Sequence, residues 1–472
     1  MSNKPNLLKL FKKLWYHCEK YSAFFNDENR MLEIASVQPF YVYDICLNCL
    51  SMIIAQMENN ISVGFDISIR AIIESFSIFK AIGQNELTDK QLSLIFYGRS
   101  YMSAKAHLDV SNAREMKLIN DFFESEMKRA IAYTSTTFSL NEEESIRILK
   151  DHYSFLKYGN KQIGKTASSF IAHELGERFK EIRNFCSTSI HPSYYSEEIY
   201  EKVVKEKLSI ADLIYLIVDN MLPDINVDDK SIPSYQKFKN KYIGEQTLAT
   251  IDEFKIRFKK AANAINQKHH ISYSLKRIKE LLIDITLFDK IPFSDIKRNR
   301  YKTIIEYLSI LTFITDDELA FMWQLMSDYK AQKYLGINDK DKISKLVDLV
   351  ANRYKIASKI EIKEQLESND LFFLKGTKTN YMPMVNEALN RITHFRSEID
   401  KSLIKAATDE SWTLYKFYLN DTHPGIDLYK HILDKKQSPS VIFAHVFMTY
   451  IYIGGKDEKL INLLYLYKKS LD

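Results

Sequence analysis

At 472 residues the chain is long enough for two or three domains, and its 46% apolar and 13% aromatic content supplies packed cores and excludes a disordered chain. The net charge of +5 is small for this length and Lys alternates with Asp and Glu, so the charge pattern reads as a solvated surface that permits contact with nucleic acid without announcing it. Only 12 Gly and 9 Pro occur, which argues against a turn-rich β fold and against glycine loops that cradle phosphates.

The chain opens on MSNKPNLLKLFKKLWYHCEKY, an amphipathic stretch without the apolar centre and cleavage site of a signal peptide. Its bases and aromatics could suit nucleic acid, but a core-facing helix accounts for them better. Cys46-Leu-Asn-Cys49 has no second pair or nearby His to complete a zinc site, so it reads as two thiols on a helix. Four cysteines in all (Cys18, Cys46, Cys49 and Cys186) suit a reducing, cytoplasmic setting. Phe65, Ile69, Ile72, Phe76 and Phe79 recur at spacings of four and three and predict a helix with one apolar stripe.

Similar stripes run through YDICLNCLSMIIAQM, LIYLIVDNML and YSLKRIKELLIDI, and β alternation bounded by turns is absent. Breakers at Gly83, Gly159, Pro192, Pro223, Pro233, Pro292, Pro424 and Pro439 mark connections. DINVDDKSIPS, residues 224–234, reads as an interdomain linker. His269-His270 lies near a helix start without a carboxylate or Cys at ligand spacing and reads as an exposed pair. His394 and Arg396 fit a solvated helical face as well as an RNA contact. The longest apolar run, Val441 to Ile453, contains His445 and is 13 residues long; spanning a bilayer takes about 20, so it reads as a buried helix and no membrane association is expected. No P-loop, dinucleotide fingerprint, nucleophile elbow or HExxH is present, and neither a cofactor nor a metal is expected.

An internal repeat organises the rest. IIESFSIFKAI begins at Ile72 and IIEYLSILTFI at Ile304, an offset of 304 − 72 = 232, with six of eleven positions identical. Phe185, His191 and Pro192 in FCSTSIHPS match Phe417, His423 and Pro424 in FYLNDTHPG at the same offset. IADLIYLIVDNM from Ile210 pairs likewise with IFAHVFMTYIYI from Ile442, whereas SFLKYG at Ser154 and FFLKG at Phe372 agree only with a shifted offset. The Glu-to-His separation is 117 in both copies, from Glu74 to His191 and from Glu306 to His423. The expectation is an all-α protein of two related helical bundles, residues 1–232 with Arg70/Glu74/His191 and residues 233–472 with Lys302/Glu306/His423.

Arg70, Glu74 and Ser77, and their counterparts Lys302, Glu306 and Ser309, each share one helical face beside the apolar stripe. A glutamate partly buried there needs a partner, and the histidine of the same copy is the expected one, with Glu fixing its tautomer. Two roles fit such a unit. It could be a catalytic cluster, with His as acid–base and Arg or Lys binding an anion, or a satisfied hydrogen bond that locks two helices, with Pro ending one of them.

RAIIESFSIF and FCSTSIHPS resemble an uncharacterised family of bacterial all-helical domains that carry Arg-x3-Glu and, later, His-Pro-Ser. The likeness covers most of the first half; in the second, Lys302 replaces Arg70 and Gly425 replaces Ser193. The His-bearing stretch also resembles, more loosely, the signature of HEPN domains, helical bundles of bacterial toxins and antiphage defence, many of them metal-independent ribonucleases. In that signature Arg, usually followed by a polar residue, precedes His by four to six intervening positions. Here Arg183-Asn184 precedes His191 by seven, and Tyr415-Lys416 stands where a second Arg-Asn would be. On an unbroken helix an eight-residue step rises about 12 Å.

The resemblance implies a cytoplasmic, metal-independent endoribonuclease acting as a defence or toxin effector. His191 and His423 would be acid–base groups, Arg183 and Arg70 phosphate ligands, and Glu74 and Glu306 orienting carboxylates. RNA, a regulatory or trigger protein and a second copy of the chain are the implied partners. The other class of reading is a non-catalytic helical module that binds a protein or a nucleotide.

Overall fold

The computed structural model describes residues 64–83, 89–109, 117–158, 161–206, 269–287, 295–337, 340–394 and 401–418, with isolated positions at 49, 50, 53, 54, 56, 449 and 452. The 224–234 linker, Cys18, Cys46, Arg396, the N-terminal stretch, His423-Pro424 and most of the 441–453 run lie outside these residues. Of the described residues 83% are helical, as expected for an all-α protein. A two-residue antiparallel ladder, Lys157–Tyr158 against Lys161–Gln162, is the extent of β pairing among them. No helix among them is long and apolar enough to cross a membrane.

In the first half α1 (Phe65–Gly83) is entered through Gly64, whose φ of +83° only glycine adopts readily. That turn aims the Gly64 carbonyl back at the Ile67 and Ser68 amides. α2 (Asp89–Asp109), α3 (Lys117–Phe138) and α4 (Glu142–Lys150) follow, and Asn141 and Glu144 cap α4 reciprocally. A 3-10 turn (His152–Phe155) and the small ladder lead into α5 (Ala167–Leu175), capped by Thr166, and α6 (Glu177–Ser189).

The second half carries α7 (His269–Leu287), α8 (Asp295–Leu311), α9 (Asp317–Tyr334), α10 (Lys340–Tyr354), α11 (Lys359–Ser368), the single turn α12 (Phe372–Lys375), α13 (Tyr381–His394) and α14 (Lys401–Tyr418). From α1 and from α8 onward the order runs in parallel: four helices, one short turn, two helices. The packing pairs run in parallel too. α1 lies against α5 and α6 as α8 lies against α13 and α14, while α2–α3 and α3–α4 correspond to α9–α10 and α10–α11.

α1 and α8 depart from the single apolar stripe expected of them. Phe65, Ile69, Ile72 and Phe76 are buried, but so are Ser68, Arg70, Glu74 and Ser77. α8 likewise buries Arg300, Lys302, Thr303, Glu306, Ser309 and Thr312 together with Ile304, Ile305 and Leu308. Each helix is covered on one side by two later helices of its own half and on another by its counterpart, which leaves nearly all of its described side chains buried. Where they meet, Arg300 Nη2 donates to Ser68 Oγ and to the Gly64 carbonyl, each at 3.1 Å. Ser68 and Arg300 are themselves 232 residues apart, so equivalent positions touch, as they do across a two-fold axis.

The large core runs through α8, α9, α10 and α13, around Trp323, Phe373 and Trp412. It also takes in Ala104, Phe123 and Tyr194 of the first half. A smaller cluster of Leu94, Tyr97, Tyr101, Ala130, Ile148 and Leu149 binds α2, α3 and α4.

Candidate functional site

α6 ends at Ser189, so Arg183 and His191 do not share an unbroken helix. Pro192 cannot continue a helix, and residues 190–196 leave α6 as an extended strap laid across the second half. Hydroxyls of α8 and α9 receive its backbone. Thr303 Oγ1 donates to the Ile190 carbonyl at 2.7 Å, and the Tyr307 hydroxyl donates to the Ser193 carbonyl at 3.0 Å while accepting from its amide at 3.2 Å. The Tyr194 amide donates to Ser327 Oγ at 3.0 Å, and the Ser196 amide to Asp328 Oδ1 at 2.9 Å. Pro192, Ser193, Tyr194 and Tyr195 are buried. The backbone of this stretch is thus held by two hydroxyls of α8 and by a hydroxyl and a carboxylate of α9. Beyond the strap, Tyr200 lies 3.9 Å from the Arg277 guanidinium of α7.

The strap carries His191 to Glu306 of the second half. His191 Nδ1 lies 2.9 Å from Glu306 Oε2, so the expected pairing with Glu74, in the histidine's own half, is corrected. A common separation of 117 residues marks equivalent positions in two copies but does not decide which copy's surface a strap crosses. Glu306 has no exposed side-chain surface, and two further groups meet it: Lys302 Nζ 3.2 Å from Oε1, and the Tyr415 hydroxyl, which donates to Oε1 at 2.9 Å. Burial pushes this carboxyl up, but Lys302, His191 and the Tyr415 hydroxyl outweigh it and hold it below the usual carboxylate range. An ionised carboxylate only accepts, so the proton of the His191–Glu306 bond belongs to Nδ1, and in the neutral ring Nε2 carries the lone pair. The imidazole is 31% exposed and lies parallel to the Tyr381 ring, with centroids 4.1 Å apart and 14° between planes. Tyr381 in turn donates to Asp370 Oδ2 at 3.1 Å, and Asp370 pairs with Lys330 at 2.9 Å.

Glu74 is the centre of a second cluster. Arg70 Nε and Arg183 Nε both reach its Oε1, at 3.0 and 2.9 Å, and Ser77 donates to its carbonyl. Arg183 and Tyr415 are 415 − 183 = 232 positions apart and perform the same task, each bonding the glutamate of its own half. Arg99 bonds the Tyr153 hydroxyl nearby, and Arg70 feels the charges of both Arg183 and Arg99. The two clusters are neighbours, because Arg70 also acts on Lys302. Arg70, Arg183, Lys302 and Lys330 thus face Glu74, Glu306 and Asp370 across the two clusters.

Of the residues expected at a site, Arg70, Glu74, Arg183, Glu306 and His191 therefore gather where the halves meet, while His423 lies outside the described residues. Tyr415 was detectable from the offset alone, as the occupant of the Arg183 position. Tyr381, Asp370, Lys330, Arg99 and Tyr153 carried no such signal. The remaining candidates are structural. Cys49 is buried. His270 is buried, against the expectation of an exposed pair, and His269 Nδ1 lies 2.6 Å from the Tyr194 hydroxyl. His394 is exposed and bonds the Asn390 carbonyl within its own helix. No group of three or more His, Cys, Asp or Glu is gathered in a metal-binding arrangement among the described residues.

No family model matches the chain, and no curated protein and no solved structure is similar to it.

Proposed function

We propose that the chain is a HEPN-like, metal-independent endoribonuclease of bacterial origin, built by tandem duplication and acting as a defence or toxin effector in the cytoplasm. The observation that carries this reading is the state of His191: a partly exposed imidazole whose Nδ1–H is held by a buried, ionised glutamate. That is what general acid–base work needs, because the tautomer is fixed and the basic atom is available. His191 Nε2 takes the proton of an RNA 2′-hydroxyl or returns one to the leaving 5′-oxygen. Arg183, with Arg70 beside it on Glu74, supplies positive charge for the phosphate as negative charge builds on its oxygens. Parallel element order, parallel packing and the paired roles of Arg183 and Tyr415 support the duplication.

The test is purified full-length protein incubated with end-labelled RNA in chelator. Cleavage by the wild type that falls at least a hundredfold in His191→Ala is the expected result. Cleavage that persists at wild-type rate in His191→Ala removes the histidine from the mechanism.

A second reading, a non-catalytic helical module that binds a protein or nucleotide, draws on a different observation. His191, Lys302 and Tyr415 together satisfy Glu306, and the bond from His191 ties one half to the other. On that reading His191→Ala lowers the melting temperature and RNA stays intact with either protein.

A further inference from the structure

A single hydrogen bond leaves an imidazole free to pivot about it. The Nδ1–H bond to Glu306 fixes one atom of the His191 ring and leaves the ring plane to be set by something else. The described structure supplies that restraint in Tyr381, whose ring lies 4.1 Å away and nearly parallel. The phenol is itself tethered: its hydroxyl bonds Asp370, which α9 holds through Lys330. α8 thus contributes the in-plane contact, while Tyr381 on α13 and its anchors contribute the out-of-plane one. We propose that Tyr381 is a positioning residue for His191, its ring fixing the imidazole plane so that Nε2 points to one place.

The catalytic consequence rests on the acid–base reading of His191 given above; the positional claim does not. Aim matters at this scale, since misplacing a reacting group by about 1 Å costs on the order of 100-fold in rate.

Two measurements on the full-length protein test this. The first is the His191 Cε1–H proton resonance, assigned by its absence from the spectrum of His191→Ala. A ring stacked this closely shifts it upfield and gives cross-relaxation to the Tyr381 ring protons. Tyr381→Leu should abolish both signatures and Tyr381→Phe should keep them. The second is RNA cleavage: Tyr381→Leu should lower kcat about 10- to 100-fold with KM within about twofold, and Tyr381→Phe should keep most of kcat.

A His191 resonance without an upfield shift in the wild type, or one unmoved in Tyr381→Leu, overturns the proposal. So does an equal loss of kcat in Tyr381→Phe and Tyr381→Leu, because the hydroxyl and not the ring would then be responsible. Should Tyr381→Leu fail to fold, the wild-type and Tyr381→Phe spectra still decide the point through cross-relaxation. A wild type that leaves RNA uncut removes the nuclease reading alone, and the resonance then judges the positional claim by itself.

Discussion

Glu306 holds a lysine, a tyrosine and a histidine with no water-exposed surface of its own, so its charge is matched entirely by protein. Glu306→Gln would leave the Lys302 ammonium buried without its anion and should destabilise the fold by about 3–5 kcal/mol, read as a fall in the urea midpoint. Lys302→Met combined with Glu306→Leu should recover most of that loss, because a buried ion pair replaced whole is tolerated far better than one broken. His152 provides a pH-dependent counterpart. It is buried, Nδ1 donates to the Leu149 carbonyl at 3.0 Å, and Nε2 has no hydrogen-bond partner among the described residues. Burial holds this imidazole down, from 6.5 to about 4. Between those values the unfolded chain binds a proton that the folded one refuses, so stability is full above pH 6.5 and falls by about 3 kcal/mol as the pH drops towards 4. His152→Gln should flatten that slope in urea midpoints taken at pH 7, 5.5 and 4.5; an unchanged slope would assign the acid sensitivity elsewhere. At this scale the sequence made the buried polar residues of α1 and α8 visible. Arg70, Glu74, Lys302 and Glu306 stood out because polar residues kept one spacing in two copies. Their partners did not, since spacing along a helix gives a face and not the neighbour that covers it.

At the scale of elements, the strap carries a histidine to the second half, and its hold there is a set of hydroxyl contacts. Tyr307→Phe leaves the buried Ser193 amide and carbonyl without the one group that serves both, and should cost about 1–3 kcal/mol. A change much below that range would mean that water replaces the hydroxyl. The His-bearing 3-10 turn is wedged against α2 at Gly98, where an added Cβ would sit 2.4 Å from the His152 ring. Gly98→Ala should therefore destabilise by about 1–3 kcal/mol, and adding His152→Ala should cancel much of the penalty in a double-mutant cycle. Helix positions were readable from apolar spacing: the Ile72 and Ile304 segments both lie in helices. The burial of α1 and α8 on all sides was not. Their polar stripe looks like a solvent face until what covers it is known: Arg183 of α6 over Glu74, and Tyr415 of α14 with the strap from the first half over Glu306.

For the whole molecule, the halves share a core, a strap and the Ser68–Arg300 contact. Unfolding should therefore be a single transition. Trp323 and Trp412 are buried in the second half, so tryptophan fluorescence should follow mainly that half while far-ultraviolet circular dichroism follows both. Coincident midpoints are expected; a separation of more than about 5 °C, comparable to 1 kcal/mol or more in one half, would show that the halves melt independently. The all-helical class could be read from apolar periodicity, but the crossing of His191 to Glu306 could not, because it is a long-range pairing 115 residues apart. That separation also has a meaning in time. A ribosome adding about 5–20 residues per second makes the strap roughly 6–23 s before it makes Glu306. During that interval the nascent strap, with its apolar tyrosines and unserved backbone groups, has no anchor to lie on, so the first half leaves the ribosome with an open seam that chaperones or premature association could occupy before synthesis closes it.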